Sequence, residues 1–344
     1  MGTIGSQFLA QDFEECVASV QKAEEAGYSH AWFVDSQLLW QDCFVYMTHS
    51  LARTERIVVG TAVTNPYTRH VTATASMFTT LAGLHPGRLA LGIGRGDSSV
   101  RTMGLNPVKT SVLEESVVLL RELMAGRHVT INDADVYLRW LDRDPAIPIM
   151  MPATGPKNLQ LAGALADRVM LYVGVNEASV RWAIDHVRAG AEKAGRDPDA
   201  VKLSLLTAMW VSDDQEESWD HCRWAPAACA NHIADTMQRN KAHGMPETMT
   251  RLPQSRGDYD YYAGHLSSDA DHTAYLTGGL IDDFAIAGSA DKVRAKVREL
   301  FSLGIDEISC AYLNGNFDQM DTVGREIIGA VATTTAGVRR TRGG

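Results

Sequence analysis

The sequence predicts a single-domain α/β protein, a (β/α)8 TIM barrel with insertions, and three observations carry that prediction. Short apolar runs of strand type alternate along the chain with stretches of helical apolar period, the pattern of successive βα units. Polar and glycine residues gather immediately after those runs, where a barrel places its ligand-binding loops. The chain has 344 residues, 45% of them hydrophobic, enough for one barrel and its insertions.

Taken in order, Ile4 to Phe8 forms the first strand. Asp12 then opens a helix with Phe13, Cys16, Val17, Val20 and Ala23 on one face and Gly27 as its stop. His30 to Asp35 is a second buried strand ending on a carboxylate, and a helix returns over Asp42 to Ala52. Arg56 to Val63 is the third strand, followed by the loop Thr64-Asn65-Pro66-Tyr67-Thr68-Arg69-His70 and a helix over Thr72 to Leu84. The fourth strand begins at Arg88 and runs straight into the turn Gly92-Ile93-Gly94-Arg95-Gly96-Asp97. After a helix over Ser111 to Met124, Val129 to Tyr137 alternates as a small hairpin. Strands follow at Ile147 to Met151, Arg168 to Val173, Lys202 to Val211 and Glu307 to Leu313, and a last helix passes through Ile327 and Ile328. Gly27 and Gly304 both sit where a helix stops just before a strand.

The barrel is expected to occupy residues 1–332, with an insertion at about 212–283 that acts as a lid or binding region, and a polar, basic, loose tail at 333–344. The insertion carries a helix over Glu216 to Ala242 and the segment Gly257-Asp258-Tyr259-Asp260-Tyr261-Tyr262.

Composition narrows the class. A formal charge of -10 disfavours non-specific nucleic-acid binding. No apolar run is long enough for a membrane span, and the first residues lack a signal-peptide pattern. The five cysteines, an odd number without Cys-x-x-Cys, fit reduced thiols in a cytoplasmic protein. The apolar helix faces suit a homodimer.

The residues just after the strands form a polar ring of both charge signs: Asp35, Ser36 and Gln37; Thr64, Asn65, Tyr67, Arg69 and His70; Arg95 and Asp97; Thr154 and Lys157; Tyr172; Asn314. The glycines of 92–96 have the wrong spacing for a dinucleotide fingerprint and follow the fourth strand rather than the first. They either make a plain tight turn or let backbone approach a ligand, with Arg95 meeting a phosphate. Asp97 either has a raised pKa and serves as an acid or caps the next helix. Thr154-Gly155-Pro156-Lys157 is a second phosphate candidate at a helix N-terminus, or an N-cap by Thr154 with Pro156 in the first turn. His221, His232, His243, His265 and His272 show no metal-ligand spacing and read as lid or surface residues. Trp210, Trp219 and Trp224 read as packing, and Tyr259, Tyr261 and Tyr262 as an aromatic lid over the mouth.

At this point the chain resembles the bacterial luciferase-like flavin and deazaflavin oxidoreductases, closest to their methylenetetrahydromethanopterin reductase-like branch. The resemblance rests on Ala23 to Tyr28 with Trp32 to Asp35, on the Thr64 to His70 loop, on Leu91 to Asp97, on Pro152 to Lys157 and on Phe284 to Ser289. It implies a flavin or deazaflavin ring at the C-terminal mouth of the barrel, pressed by a bulge with a non-prolyl cis peptide at Ala62-Val63. It implies coenzyme F-420 or FMN held by Ala62, Val63, Thr64, Asn65, Arg95, Gly96, Thr154 and Gly155, with phosphate on Arg95 and the Thr154-Gly155 turn. Several deazaflavin enzymes of the family follow the strand-two Asp with His, where this chain has Ser36-Gln37, and carry Glu where this chain has Asp97. The candidate catalytic residues are therefore Asp97, His70 and Asp35, with no metal. The implied reaction is hydride transfer between reduced coenzyme F-420 and a small-molecule substrate. The alternatives are a two-component FMN monooxygenase served by a separate flavin reductase, and a flavin-binding protein without turnover.

Overall fold

The computed structural model describes residues 2–240, 244–251, 261–262, 264–268, 273, 275–311 and 314–331. Eleven strands are present among them: β1 Thr3–Phe8, β2 His30–Phe33, β3 Val58–Thr61, β4 Leu89–Gly92, β5 Val129–Ile131, β6 Ala134–Val136, β7 Ile149–Ala153, β8 Arg168–Leu171, β9 Lys202–Val211, β10 Ala285–Gly288 and β11 Glu307–Cys310. The order β11-β1-β2-β3-β4-β7-β8, closed by β9 pairing with both β8 and β11, makes an eight-stranded parallel barrel. β5 and β6 form the expected hairpin, antiparallel and outside the barrel.

Two differences from the sequence expectation bear on the site. The motif at Phe284 to Ser289 contains a further strand, β10, whose Ala285–Gly288 pairs in parallel with Ala208–Val211 of β9. β9 is long enough to serve two partners, with its lower half joined to β11 and its upper half to β10. The single helix expected over 216–242 is two helices, Gln215–Cys222 and Trp224–Asn240, separated at Arg223. Trp224 is buried in a cluster with Ala225, Leu276, Ile281 and Ala285, so this part of the insertion has a small core of its own, with Trp210 and Trp219 packed against it. Tyr312, Leu313, Tyr259, His243, His272 and the 333–344 tail lie outside the described residues.

Helix boundaries follow local chemistry. Asp42 accepts Phe44 N–H at 3.0 Å and starts Cys43–Ala52, and Asn176 accepts Ser179 N–H at 3.0 Å and starts Glu177–Lys193. Gly27, at φ 92°, ends Phe13–Ala26 in the left-handed conformation that glycine adopts without steric cost.

Inside the barrel, side chains stack in layers. At the N-terminal end, Glu307 is fully buried; it accepts from Trp32 Nε1 and Arg168 Nη1, both at 2.8 Å, and pairs with His30 Nδ1 at 2.9 Å. Gly5 makes room for it, since a Cβ there would stand 2.6 Å from Glu307 Oε1. Above this lies an apolar layer of Trp32, Ala90, Met150 and Met170, with Ala62, Val63 and Leu206 against it. The cavity described next begins there.

Candidate active site

A cavity of about 430 Å³ opens at the C-terminal ends of the strands. Its floor is Gln7, Met170 and Leu206, and one wall is the pair Ala62 and Val63. These two residues interrupt β3 and are joined by a cis peptide. Pairing with the β4 end resumes beyond them, where Thr64 bridges Ile93, Thr64 N donates to Gly92 O at 3.0 Å, and Gly94 N donates to Thr64 O at 2.9 Å. Gly94 has no room for a side chain, because a Cβ would come 2.9 Å from Val63 Cγ2 and 3.2 Å from Pro152 Cγ. Gly96 adopts φ 82°, which turns the chain so that Asp97 also faces the cavity.

The opposite wall comes from the insertion. Ala228, His232, Asp235 and Thr236 are spaced as one face of the helix Trp224–Asn240, and all four line the cavity. The helix is held to the barrel end by Tyr172, whose hydroxyl donates to Ala225 O at 3.2 Å and whose ring meets His232 edge-on at 5.5 Å. Thr236 sits directly on the Gly155 turn, where a Cβ at Gly155 would come 2.7 Å from Thr236 Cγ2.

Asp97 is the electrostatic centre. Arg101 Nε donates to its Oδ1 at 2.7 Å, Tyr261 OH donates to Oδ1 and Oδ2 at 3.0 and 3.1 Å, and His232 Nε2 lies 3.8 Å from Oδ2. Arg101 Nη2 also donates to Asp235 Oδ2 at 2.8 Å, so one guanidinium ties the β4 turn to the insertion helix. Burial pushes the Asp97 carboxyl up, but the His232 ring, the Arg101 guanidinium and the Tyr261 hydroxyl outweigh it and hold Asp97 below its ordinary value of 3.8. Burial and the neighbouring Asp97 charge push the Tyr261 phenol up.

The profile of the luciferase-like monooxygenase family matches residues 2–307. The chain belongs to that family. Among the similar relatives is the 5,10-methylenetetrahydromethanopterin reductase of Methanolobus tindarius, 28% identical over 339 residues, covering 95% of this chain and 100% of the relative. The coenzyme F-420-dependent tetrahydromethanopterin reductase structure from Methanopyrus kandleri superposes with a TM-score of 0.77 at 23% identity, over 96% of this chain and 99% of that one. The oxygenating constituent of 3,6-diketocamphane monooxygenase from Pseudomonas putida, in complex with FMN, gives 0.66 at 16% identity over 96% and 98%.

This luciferase-like chain gathers most of the residues singled out in its sequence, but not all. Asp97, Asp35, Ala62, Val63, Arg95, Gly96, Thr154 and Gly155 line the cavity. Thr64 and Asn65 stand behind its wall, where Thr64 Oγ1 donates to Asp35 Oδ2 at 2.7 Å. Asn65 Nδ2 donates to Thr68 Oγ1 at 2.9 Å and Ser99 Oγ at 3.0 Å, while its carbonyl oxygen takes the amides of Tyr67 and Thr68. His70 lies away from the cavity lining: it precedes the helix Val71–Leu84, with Nδ1 2.8 Å from Thr72 Oγ1 and accepting from Thr72 N. Asp35 is gripped bidentately by Arg69, Nε to Oδ2 at 2.8 Å and Nη2 to Oδ1 at 3.1 Å, and so anchors the loop.

Three expectations are corrected. The Asp97 carboxyl is lowered rather than raised, because its three polar partners outweigh burial. It occupies the helix-cap position before Ser98–Arg101 yet makes no side-chain capping bond. The cap before Pro156–Leu165 is Gly155, with Pro156 in the first turn, while Thr154 Oγ1 donates to Tyr172 O at 3.1 Å. Of the histidines read from the sequence as lid or surface residues, His232 and His265 line the cavity from the insertion's side, in keeping with that reading. The sequence signal for His232 was the helical spacing of Ala228, His232, Asp235 and Thr236, a partly polar face on an alanine-rich helix. Tyr262 stays at the rim, exposed, its hydroxyl donating to Thr102 O at 3.4 Å.

The chain's own residues fit a flavin-like group. The Ala62-Val63 face, with Gly94 unable to carry a side chain behind it, offers a flat apolar support for a ring. Arg95, whose Nε donates to Val108 O at 2.6 Å, is fixed on the lining, and Lys157 sits in the first turn of a helix whose N-terminus faces the same space.

Proposed function

We propose that this luciferase-like oxidoreductase transfers hydride between coenzyme F-420 and a small organic substrate bound in the cavity beside Asp97 and His232. The observation that carries this reading is the charge-paired wall opposite the Ala62-Val63 bulge. Hydride transfer to a polar double bond must be matched by proton traffic, and a wall with Asp97 24% and His232 37% exposed is open to it. Oxygen chemistry on a flavin instead calls for a pocket shut off from water. Similarity to 5,10-methylenetetrahydromethanopterin reductases over 95% of the chain, and to an F-420-dependent dehydrogenase over 60% of it, supports the same side.

Bound, the cofactor would supply the hydride; the protein would supply the rest. Ala62 and Val63 would support the ring, and Arg95, Gly96, Thr154 and Gly155, with Lys157, would hold the phosphate. The Asp35-Arg69 pair would keep the loop in register. The decisive assay mixes the protein anaerobically with reduced F-420 and either 5,10-methylenetetrahydromethanopterin or a simple ketone such as acetone, and follows formation of oxidised cofactor. Substrate-dependent oxidation is expected. Oxygen uptake with reduced FMN from an added flavin reductase, and no anaerobic oxidation of F-420, would favour the monooxygenase alternative. Binding of either cofactor without turnover in either assay would leave a carrier protein.

A further inference from the structure

We infer that His232, contributed by the insertion rather than by a strand end, is the catalytic residue that exchanges the proton with substrate, while Asp97 stays ionised and positions it; this rests on the hydride-transfer reading above. Asp97, Asp35, Tyr261 and Arg95 are each committed to other partners. Asp97 has its oxygens engaged by Arg101 and Tyr261 and is held in the carboxylate form. Asp35 is occupied by Arg69 and Thr64. The Tyr261 hydroxyl donates to Asp97 and takes a hydrogen bond from Asn231 Nδ2 at 2.8 Å, so its proton is committed. Arg95 is a permanent cation tied to the backbone at Val108. Of the two histidines on the lining, His265 packs among the rings of Trp40 and Tyr261, whereas His232 has a carboxylate 3.8 Å from its Nε2.

The surroundings of His232 suit an acid that must be recharged. Asp97 faces it from the β4 turn, Asp235 lies one turn along its own helix, and Arg101 joins those two carboxylates from the short helix Ser98–Arg101. The Tyr172 ring meets its face from the end of β8. The other charged groups on the same lining are Lys157 and Arg95, on the side of the Gly155 turn and the β4 turn, and Asp35, which is paired with Arg69. Its side chain is 37% exposed, which leaves a path to solvent. The step balances simply. As hydride reaches a carbonyl carbon, or the carbon of an N–CH2–N bridge whose C–N bond breaks, the oxygen or the released nitrogen takes the His232 proton; the substrate gains two hydrogens, the hydride donor loses two electrons and releases its own N–H proton to water, and the imidazole, left neutral, is reprotonated from water. Asp97, 3.8 Å from Nε2, offsets the charge of the ring while it is protonated.

Two variants, His232→Gln and His232→Ala, test this in the full chain. In protein without cofactor, the Asp97 carboxyl carbon followed by ¹³C NMR should titrate at higher pH in His232→Gln, because one of the groups holding it down is gone. With F-420 and whichever of the two probe substrates turns over, kcat should fall by about 10²- to 10⁴-fold while F-420 affinity changes less than about threefold. Added imidazole should restore part of the activity of His232→Ala. Turnover within about threefold of the parent, with F-420 still bound, overturns the role of His232 and leaves the hydride reading standing. Parent protein that binds no F-420 overturns that reading and the role built on it. An unmoved Asp97 titration overturns the pairing of the two side chains.

Discussion

Two carboxylates stand at opposite ends of the same barrel, Glu307 fully buried and Asp97 partly so, and they are dressed almost alike. Glu307 at the N-terminal end has a histidine, an arginine and a Trp N–H; Asp97 at the C-terminal end has a histidine, an arginine and a Tyr O–H. Both are held below their ordinary values against burial that pushes them up. The difference lies in where the partners come from. His30, Trp32 and Arg168 belong to β2 and β8, so the Glu307 cluster is complete as soon as the barrel closes. Arg101 sits on a short loop helix, and His232 and Tyr261 come from the insertion, so the Asp97 cluster is assembled from outside the barrel and faces a cavity. Similar local chemistry makes a lock at one end and a site at the other, in keeping with the division of labour between the two faces of such barrels.

That contrast can be tested residue by residue. Glu307→Ala strands Arg168 and His30 beside an unfilled space and is expected to cost about 3–5 kcal/mol of stability, read from denaturant unfolding. Glu307→Gln is the milder companion, expected to fold and to bind cofactor as the parent does. The pH dependence has a definite sign. Because the folded Glu307 pKa lies below the ordinary 4.5, its stabilisation is present above pH 4.5 and is lost as pH falls below that through the folded value. The acid limb of the stability curve should be shallower in Glu307→Gln. A limb unchanged by the substitution would remove Glu307 from the lock.

Asp97→Asn should do the reverse. With a side chain 24% exposed, it is expected to change stability by no more than about 1 kcal/mol while lowering turnover about 10²-fold or more. Loss of stability comparable to Glu307→Ala, with turnover intact, would erase the distinction between the two ends. Arg95→Ala is expected to weaken F-420 binding about tenfold, roughly 1.4 kcal/mol, with a smaller effect on the chemical step. Unchanged affinity would take Arg95 out of the phosphate site. The smallest effect belongs to His70→Ala, about 0.5 kcal/mol of helix capping and no change in turnover.

The comparison also explains what the sequence made legible. Barrel strands announce themselves because a run buried on both sides is largely apolar, and Lys202–Val211, polar only at Lys202, Ser204 and Thr207, is legible to its ends. β10 went unread because Ala285–Gly288 is four small or aliphatic residues whose partner, the upper half of β9, is distant in sequence. In the site, residues fixed by strand ends were within reach: Asp35, Ala62, Val63, Arg95 and Asp97 all reach the cavity. The cis bond at Ala62-Val63 came from the family resemblance, since nothing in either side chain demands it. His232 was out of reach because its partner is set by how the insertion helix crosses the mouth. The charge state expected of Asp97 failed for the same reason: burial alone would raise it, and two of the three groups that lower it come from that insertion.

The most direct test of the account is an equilibrium titration of the protein with oxidised F-420 and with FMN, followed by cofactor fluorescence. Saturable binding of F-420 that FMN does not displace is expected, unaltered in Glu307→Gln and weakened in Arg95→Ala. Preferential binding of FMN, or binding of neither, would contradict it.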